Sequence, residues 1–191
     1  GVFLAWLLLM VFVVTSAISH VRRVRLVQGK VNGAMLANRH RRQIEIPLAA
    51  EPAFALLEAS IRELRDVQDV EVRRDALRIG AKVPRVYAYG GRAPLLQSML
   101  GWFDAPRNQV FATLTSQKDT STVDLVCEPE AGAWRDWFTV DNGTNLENAE
   151  VVTRAISRRI AEVRHGEQAA TKETEIEKEL AVAKLQLLHA Q

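Results

Sequence analysis

One cysteine, Cys127, in a chain of 191 residues excludes a disulfide framework and a four-thiolate metal site. Glycine and proline are few, ten and six, so the chain is neither collagen-like nor low-complexity. None of the short catalytic or phosphate-binding signatures occurs: there is no Gly-x-x-x-x-Gly-Lys-Ser/Thr, no Gly-x-Ser-x-Gly and no His-Glu-x-x-His. His20, His40, His165 and His189 are scattered and form no ligand spacing with nearby acids. Acidic residues are missing altogether from residues 1–42, which carry seven bases: Arg22, Arg23, Arg25, Lys30, Arg39, Arg41 and Arg42. What is present is 48% hydrophobic and 25% charged residues, enough for one core and one domain of ordinary size. The net charge of +2 therefore averages a basic collar and an acidic body.

Val2 to Ile18 is an uncharged apolar run, at the short end of the ~17–25 residues that cross a hydrocarbon core as a helix. Its positive charges follow it, whereas a secretory signal would place them in front. The expectation is a transmembrane helix over residues 1–19 and a basic juxtamembrane collar over residues 20–42. By the positive-inside tendency the collar puts the following domain in the cytoplasm, against the inner membrane. Arg22, Arg23, Arg25 and Lys30 are the expected membrane-surface contacts, because basic side chains near anionic headgroups contribute about 1 kcal/mol each. A nucleic-acid partner is not expected, since the collar lacks interleaved aromatics. The chain opens on Gly1 and stops at Gln191 inside a helical pattern, which reads as a piece of a longer protein.

Residues 43–166 read as a cytoplasmic α+β domain. Ile44, Ile46 and Leu48 alternate as in a strand, and Phe54, Leu57, Ile61 and Leu64 recur at helical spacing. Val67, Val70 and Val72, then Leu77, Ile79, Ala81 and Val83, predict two antiparallel strands around an Arg73-Arg74-Asp75 turn. Residues 84–107 are broken by Pro84, Gly90, Gly91, Pro94, Gly101 and Pro106 and predict a long loop or short helix. Val110, Ala112 and Leu114, followed by Gln117-Lys118-Asp119 and then Val123, Leu125 and Cys127, predict a hairpin. Another strand is expected over Trp134 to Val140. Thr144 and Glu147 match a capping box ahead of Val152, Ile156, Ile160 and Val163. The fold class expected is an antiparallel sheet with helices on one face, preceded by the transmembrane helix and followed by a coiled-coil helix. The order of elements is similar to a START-like helix-grip arrangement; a ferredoxin-like sheet is the other form it admits.

Residues 167–191 contain neither Gly nor Pro. Ile176, Leu180, Ala183, Leu187 and Ala190 are spaced four, three, four and three, the seam of a coiled coil, and predict a homodimer. The terminal run from Glu179 to Gln191, Glu-Leu-Ala-Val-Ala-Lys-Leu-Gln-Leu-Leu-His-Ala-Gln, resembles the segment that precedes the phosphoacceptor motif Pro-His-Phe-x-x-Asn in LytS-type sensor histidine kinases. The resemblance spans about thirteen residues. It implies a kinase core downstream that uses ATP and Mg, and a response regulator as phosphate acceptor. The phosphoacceptor motif itself lies beyond Gln191, and His189 precedes its place, so that role is not transferred to it. No catalytic, cofactor-binding or metal residue is expected in this stretch.

Trp134, Asp136 and Trp137 form the one aromatic and polar cluster suited to a ligand pocket, although alternating strand residues packed into a core would read the same way. Trp102 and Phe103 suit a membrane-interface anchor. The function expected is the membrane-proximal sensory and signal-transmitting region of a two-component sensor histidine kinase. The alternative is a membrane-tethered cytoplasmic domain that binds a lipid or metabolite and has no kinase activity. A tethered dimeric scaffold is the third reading.

Overall fold

The computed structural model describes residues 1–84, 107–130 and 143–189. Helix α1 spans Val2–Gln28. Its uncharged stretch continues without a break into the basic collar, because no Gly or Pro interrupts the chain before Gly29. There the backbone turns left-handed at φ 73°, and the Gly29 N–H closes the helix on the Arg25 carbonyl at 2.8 Å. A 3-10 turn, Gly33–Leu36, follows; the Asn32 side chain caps it by accepting from the Met35 N–H.

Five antiparallel strands build the sheet: β1 (His40–Ile46), β2 (Gln68–Arg73), β3 (Arg78–Pro84), β4 (Arg107–Gln117) and β5 (Thr120–Pro129). Their order is β1-β5-β4-β3-β2. Strands β2 to β5 form a meander, and β1 lies beside β5, with Ile44 opposite Val123. The chain must therefore cross the whole sheet between β1 and β2. Helix α2 (Ala50–Ile61) does so and packs against β4 and β5. The expected α+β class, an antiparallel sheet with helices and an apolar helix at the N-terminus, is what the structure shows.

Alternation explains the core. Ile79, Ala81 and Val83, then Val110, Ala112 and Leu114, then Val123, Leu125 and Cys127 are buried on one sheet face, as the two-residue period requires. Phe54, Leu57 and Ile61 of α2, with Leu64 just after it, are buried as their helical spacing predicts. The expected turn shifts slightly: Leu77 is the last turn residue, at φ 49°, and not the first of β3. Strand β1 begins at His40, three residues inside the expected collar, where the backbone pairs with β5 and the exposed Arg41 side chain meets Asp124 at 2.7 Å.

The last helix, α3, spans Thr144–His189. The chain divides into two compact units, residues 1–155 and 156–191, and α3 begins in the first. In the first unit Leu146, Ala149 and Val152 are buried. In the second, Ile156 is buried, Ile160 is half-buried and Val163 is exposed; residues 161–166 and 168–178 are all exposed. The aromatic cluster Trp134, Asp136 and Trp137, the expected strand to Val140, and Trp102 and Phe103 lie outside the described residues. So do the side chains of Leu180, Ala183 and Leu187, although the helix itself continues through them.

Candidate functional site

The collar part of α1 is not a bare basic stalk. His20, Arg23, Val24, Val27 and Gln28 recur every three or four residues and so form one stripe on the helix. His20 and Val24 are buried, at 3% and 0% exposure, and Arg23, Val27 and Gln28 are half-buried. This stripe faces the start of α3. Gly143, at φ 72°, turns the chain into α3, and a side chain added there would meet Val24 Cγ2 at 3.4 Å and Arg23 Cβ at 3.5 Å.

Polar contacts fix the same junction. Arg23 Nε lies 2.8 Å from Glu147 Oε2 in the first turn of α3. Gln28 Nε2 donates to Glu150 Oε1 at 2.6 Å, and Arg42 of β1 donates to that same oxygen at 2.6 Å. Asn145 Nδ2 donates to the Asn38 carbonyl at 2.7 Å. His20 Nε2 lies 3.2 Å from the Leu36 carbonyl, which ties α1 to the 3-10 turn. Three elements, the apolar helix, the sheet edge and the start of α3, thus meet around Glu147 and Glu150.

Magnitudes separate the roles of these contacts. Burying a valine fully is worth about 1.5–3 kcal/mol, whereas a partly exposed ion pair contributes about 0.2–1 kcal/mol. Burial of Val24 beside Gly143 therefore outweighs any single polar contact at the junction, and the contacts of Arg23 and Gln28 with Glu147 and Glu150 link α1 to α3. The capping box expected at Thr144 and Glu147 does not form. Thr144 is the first helical residue, the Glu147 N–H closes on the Gly143 carbonyl at 3.0 Å, and the Glu147 carboxylate takes Arg23 instead. A guanidinium is a stronger partner for a carboxylate than a lone backbone N–H.

Two further regions have functional potential. On the helix-facing side of the sheet, His40 stands directly opposite Cys127, and Asn108 lies on the next strand; all three are buried. Asn148, one turn beyond Asn145 on α3, is also buried. On the other sheet face, Arg39–Glu128, Arg41–Asp124 and Lys82–Glu130 form ion pairs at 2.9, 2.7 and 2.7 Å. The hydrogen bond from Lys82 holds the Glu130 carboxyl below its usual range, and the Asp124 carboxylate raises the Arg41 guanidinium. Among the described residues no group of three or more His, Cys, Asp and Glu could hold a metal ion.

No family model matches the chain. No curated protein matches it either. Among solved structures, it is similar to a Thermus thermophilus protein, TTHA0849, at 13% identity and a TM-score of 0.38, over 65% of this chain and 98% of that one. It is similar to the Zhui aromatase/cyclase of a Streptomyces species at 9% identity and a TM-score of 0.38, over 64% and 93% of the two chains. Ara h 8.0201 matches at 9% identity and a TM-score of 0.35, over 65% of this chain and 97% of that one. Likenesses of this strength carry no argument about activity, so the site stands on its geometry.

Of the expected membrane-surface contacts, Arg22, Arg25 and Lys30 are exposed and form no ion pair among the described residues, while Arg23 is drawn into the junction. Ile176, in the expected dimer seam, is 61% exposed. Sequence reasoning missed Val24, Gln28, Arg42, Glu147 and Glu150 as one site. The available signal was the stripe His20, Val24 and Val27, which continues at helical spacing after the apolar run has ended.

Proposed function

We propose that this chain is the membrane-proximal, signal-transmitting region of a LytS-type two-component sensor histidine kinase. The observation that carries the reading is the seating of α1, long and apolar enough to cross a membrane, on the first two turns of α3. The sequence run from Glu179 to Gln191, of which the part up to His189 continues α3, resembles the kinase segment. In this reading a shift or rotation of α1 moves Glu147 and Glu150 through Arg23, Gln28 and the packing of Val24. The motion passes along α3 to a paired helix with Ile176, Leu180, Ala183 and Leu187 in its seam. Phosphate transfer to a response regulator belongs to the kinase core; no residue of this chain is assigned to nucleotide or metal. The strand order supports a helix-grip form for the domain, which here acts as the bracket that keeps α1 and α3 in register.

The test is labelled-ATP incorporation by the protein expressed from its natural reading frame. A Pro-His-Phe-x-x-Asn sequence after Gln191, with label incorporated at that histidine and altered by Glu150→Ala, is the expected result. A reading frame that stops, or label incorporation that Glu150→Ala leaves unchanged, overturns it. A second reading, a tethered ligand-binding domain, draws on the buried polar residues His40, Asn108 and Asn148 on the helix-facing side of the sheet. Native mass spectrometry that finds a small molecule retained by the domain supports that alternative.

A further inference from the structure

The collar does more than orient the chain, and its two sides behave differently. The apolar run ends at Ile18, and at ~1.5 Å of rise per residue His20 and Val24 lie only about 3 and 9 Å further along the helix. The headgroup layer on each side of a bilayer is about 5–8 Å deep. The domain therefore takes hold of α1 from within the headgroup layer, where His20 lies, to just beyond it, where Val24 lies.

The side of α1 turned away from the junction carries Val21, Arg22, Arg25 and Leu26, all exposed, with Leu26 at 77%. Beyond Gly29, Lys30 and Val31 repeat the pattern, both exposed. Each base thus stands next to an exposed aliphatic side chain: Arg22 beside Val21, Arg25 beside Leu26, Lys30 beside Val31. Water is a poor environment for such an array. Val21 lies only about 5 Å past Ile18 along the helix, inside the headgroup layer, and the long basic stems beyond it reach back to phosphates. Arg22, Arg25 and Lys30 have no ion-pair partner among the described residues, and no acid precedes Glu45 in the sequence to neutralise them. Arg23 differs, because Glu147 already occupies it.

We infer that Arg22, Arg25 and Lys30, with Val21, form a docking surface for anionic phospholipid headgroups of the adjacent leaflet, and that Arg23 is not part of it. This inference rests on the reading of α1 as a membrane-crossing helix. It adds to the proposed function a specific dependence on lipid charge at the junction that α1 and α3 share.

The experiment uses the full chain in nanodiscs of equal parts phosphatidylcholine and phosphatidylglycerol, with native mass spectrometry counting the lipids retained. Phosphatidylglycerol should be enriched among the retained lipids. The enrichment should fall about fivefold for each base removed across Arg22→Gln, Arg25→Gln and Lys30→Gln, and Arg23→Gln should leave it unchanged. Added inorganic phosphate should displace the lipid no better than chloride at matched ionic strength. Equal retention of the two lipids, loss of enrichment in Arg23→Gln, or displacement by phosphate each overturns the inference. So does co-purified nucleic acid that disappears in the triple variant while lipid retention stays the same. Carbonate extraction of membranes separates the two levels: release of the protein overturns the membrane-crossing reading itself, whereas retention without lipid preference overturns only the headgroup surface.

Discussion

Glu150 receives two donors on one carboxylate oxygen, Gln28 from α1 and Arg42 from β1, and its side chain is 21% exposed. Glu150→Ala removes the acceptor for both, so we expect a loss of about 1 kcal/mol in urea unfolding. Hydrogen exchange should rise at the amides of Val24 to Gln28 and stay unchanged in β4 and β5. Val24→Ala deletes two buried methyl groups and should cost about 1.5–2.5 kcal/mol, more than any single ion pair at the junction. Glu130 supplies a pH test. Lys82 holds its folded-state value below the unfolded one, so its stabilising contribution is complete above the ordinary carboxylate range and is lost as pH falls through the lowered value. Glu130→Gln should therefore destabilise the domain by about 0.2–1 kcal/mol at neutral pH and leave its stability in strong acid unchanged, as urea midpoints at the two pH values will show. At this scale the sequence was only partly legible. Arg22 and Arg23 are adjacent and chemically identical, yet one is exposed and the other is bound to Glu147, because a helix turns neighbouring side chains about a third of a turn apart.

At the level of elements, three glycines separate left-handed backbone from helical backbone. Gly29 and Gly143 have nearly the same left-handed backbone, φ 73° and 72°, but an added side chain meets nothing within 4 Å at Gly29 and meets Val24 and Arg23 at Gly143. Gly29→Ala and Gly143→Ala should each cost about 1–2 kcal/mol for conformation alone, because the approaches of 3.4–3.5 Å at Gly143 are ordinary van der Waals contacts, and a thermal unfolding series will compare them. Gly166, inside α3 with open space around it, should gain about 0.5–1 kcal/mol as alanine. Strands and helices were readable where one face is buried. Val110, Ala112 and Leu114 against Val123, Leu125 and Cys127, and Phe54 with Leu57 and Ile61, lie where their periods put them. β1 was readable only from Ile44 onward, because its first residues, His40-Arg41-Arg42, carry no alternation and join the sheet through partners on β5 and α3. The Thr144 capping box failed for a related reason: a local motif lost to a distant arginine.

For the whole molecule, the decisive prediction concerns association. Leu180→Glu places a charge in the proposed seam and should lower the sedimentation mass of the full chain in detergent from dimer toward monomer; an unchanged mass would sink the dimer reading. Ile176 and the other described residues between 161 and 178 are exposed on every face of the helix, so the sedimentation result decides between a paired and a solvated single helix. The order of parts, an apolar helix, a basic collar, an α+β domain and a long polar helix, was available from the sequence, because hydropathy and periodicity are local properties that survive without a fold. So were most of the core residues, for the same reason. The strand order β1-β5-β4-β3-β2 was not, since nothing local in β1 says that its neighbour is the last strand and not the next one. The meeting of α1, β1 and α3 at Glu147 and Glu150 was equally hidden. Residues more than a hundred positions apart become neighbours only when packing of the sheet and its helices brings them together, and the contacts that join α1 and β1 to α3 exist only in the tertiary structure.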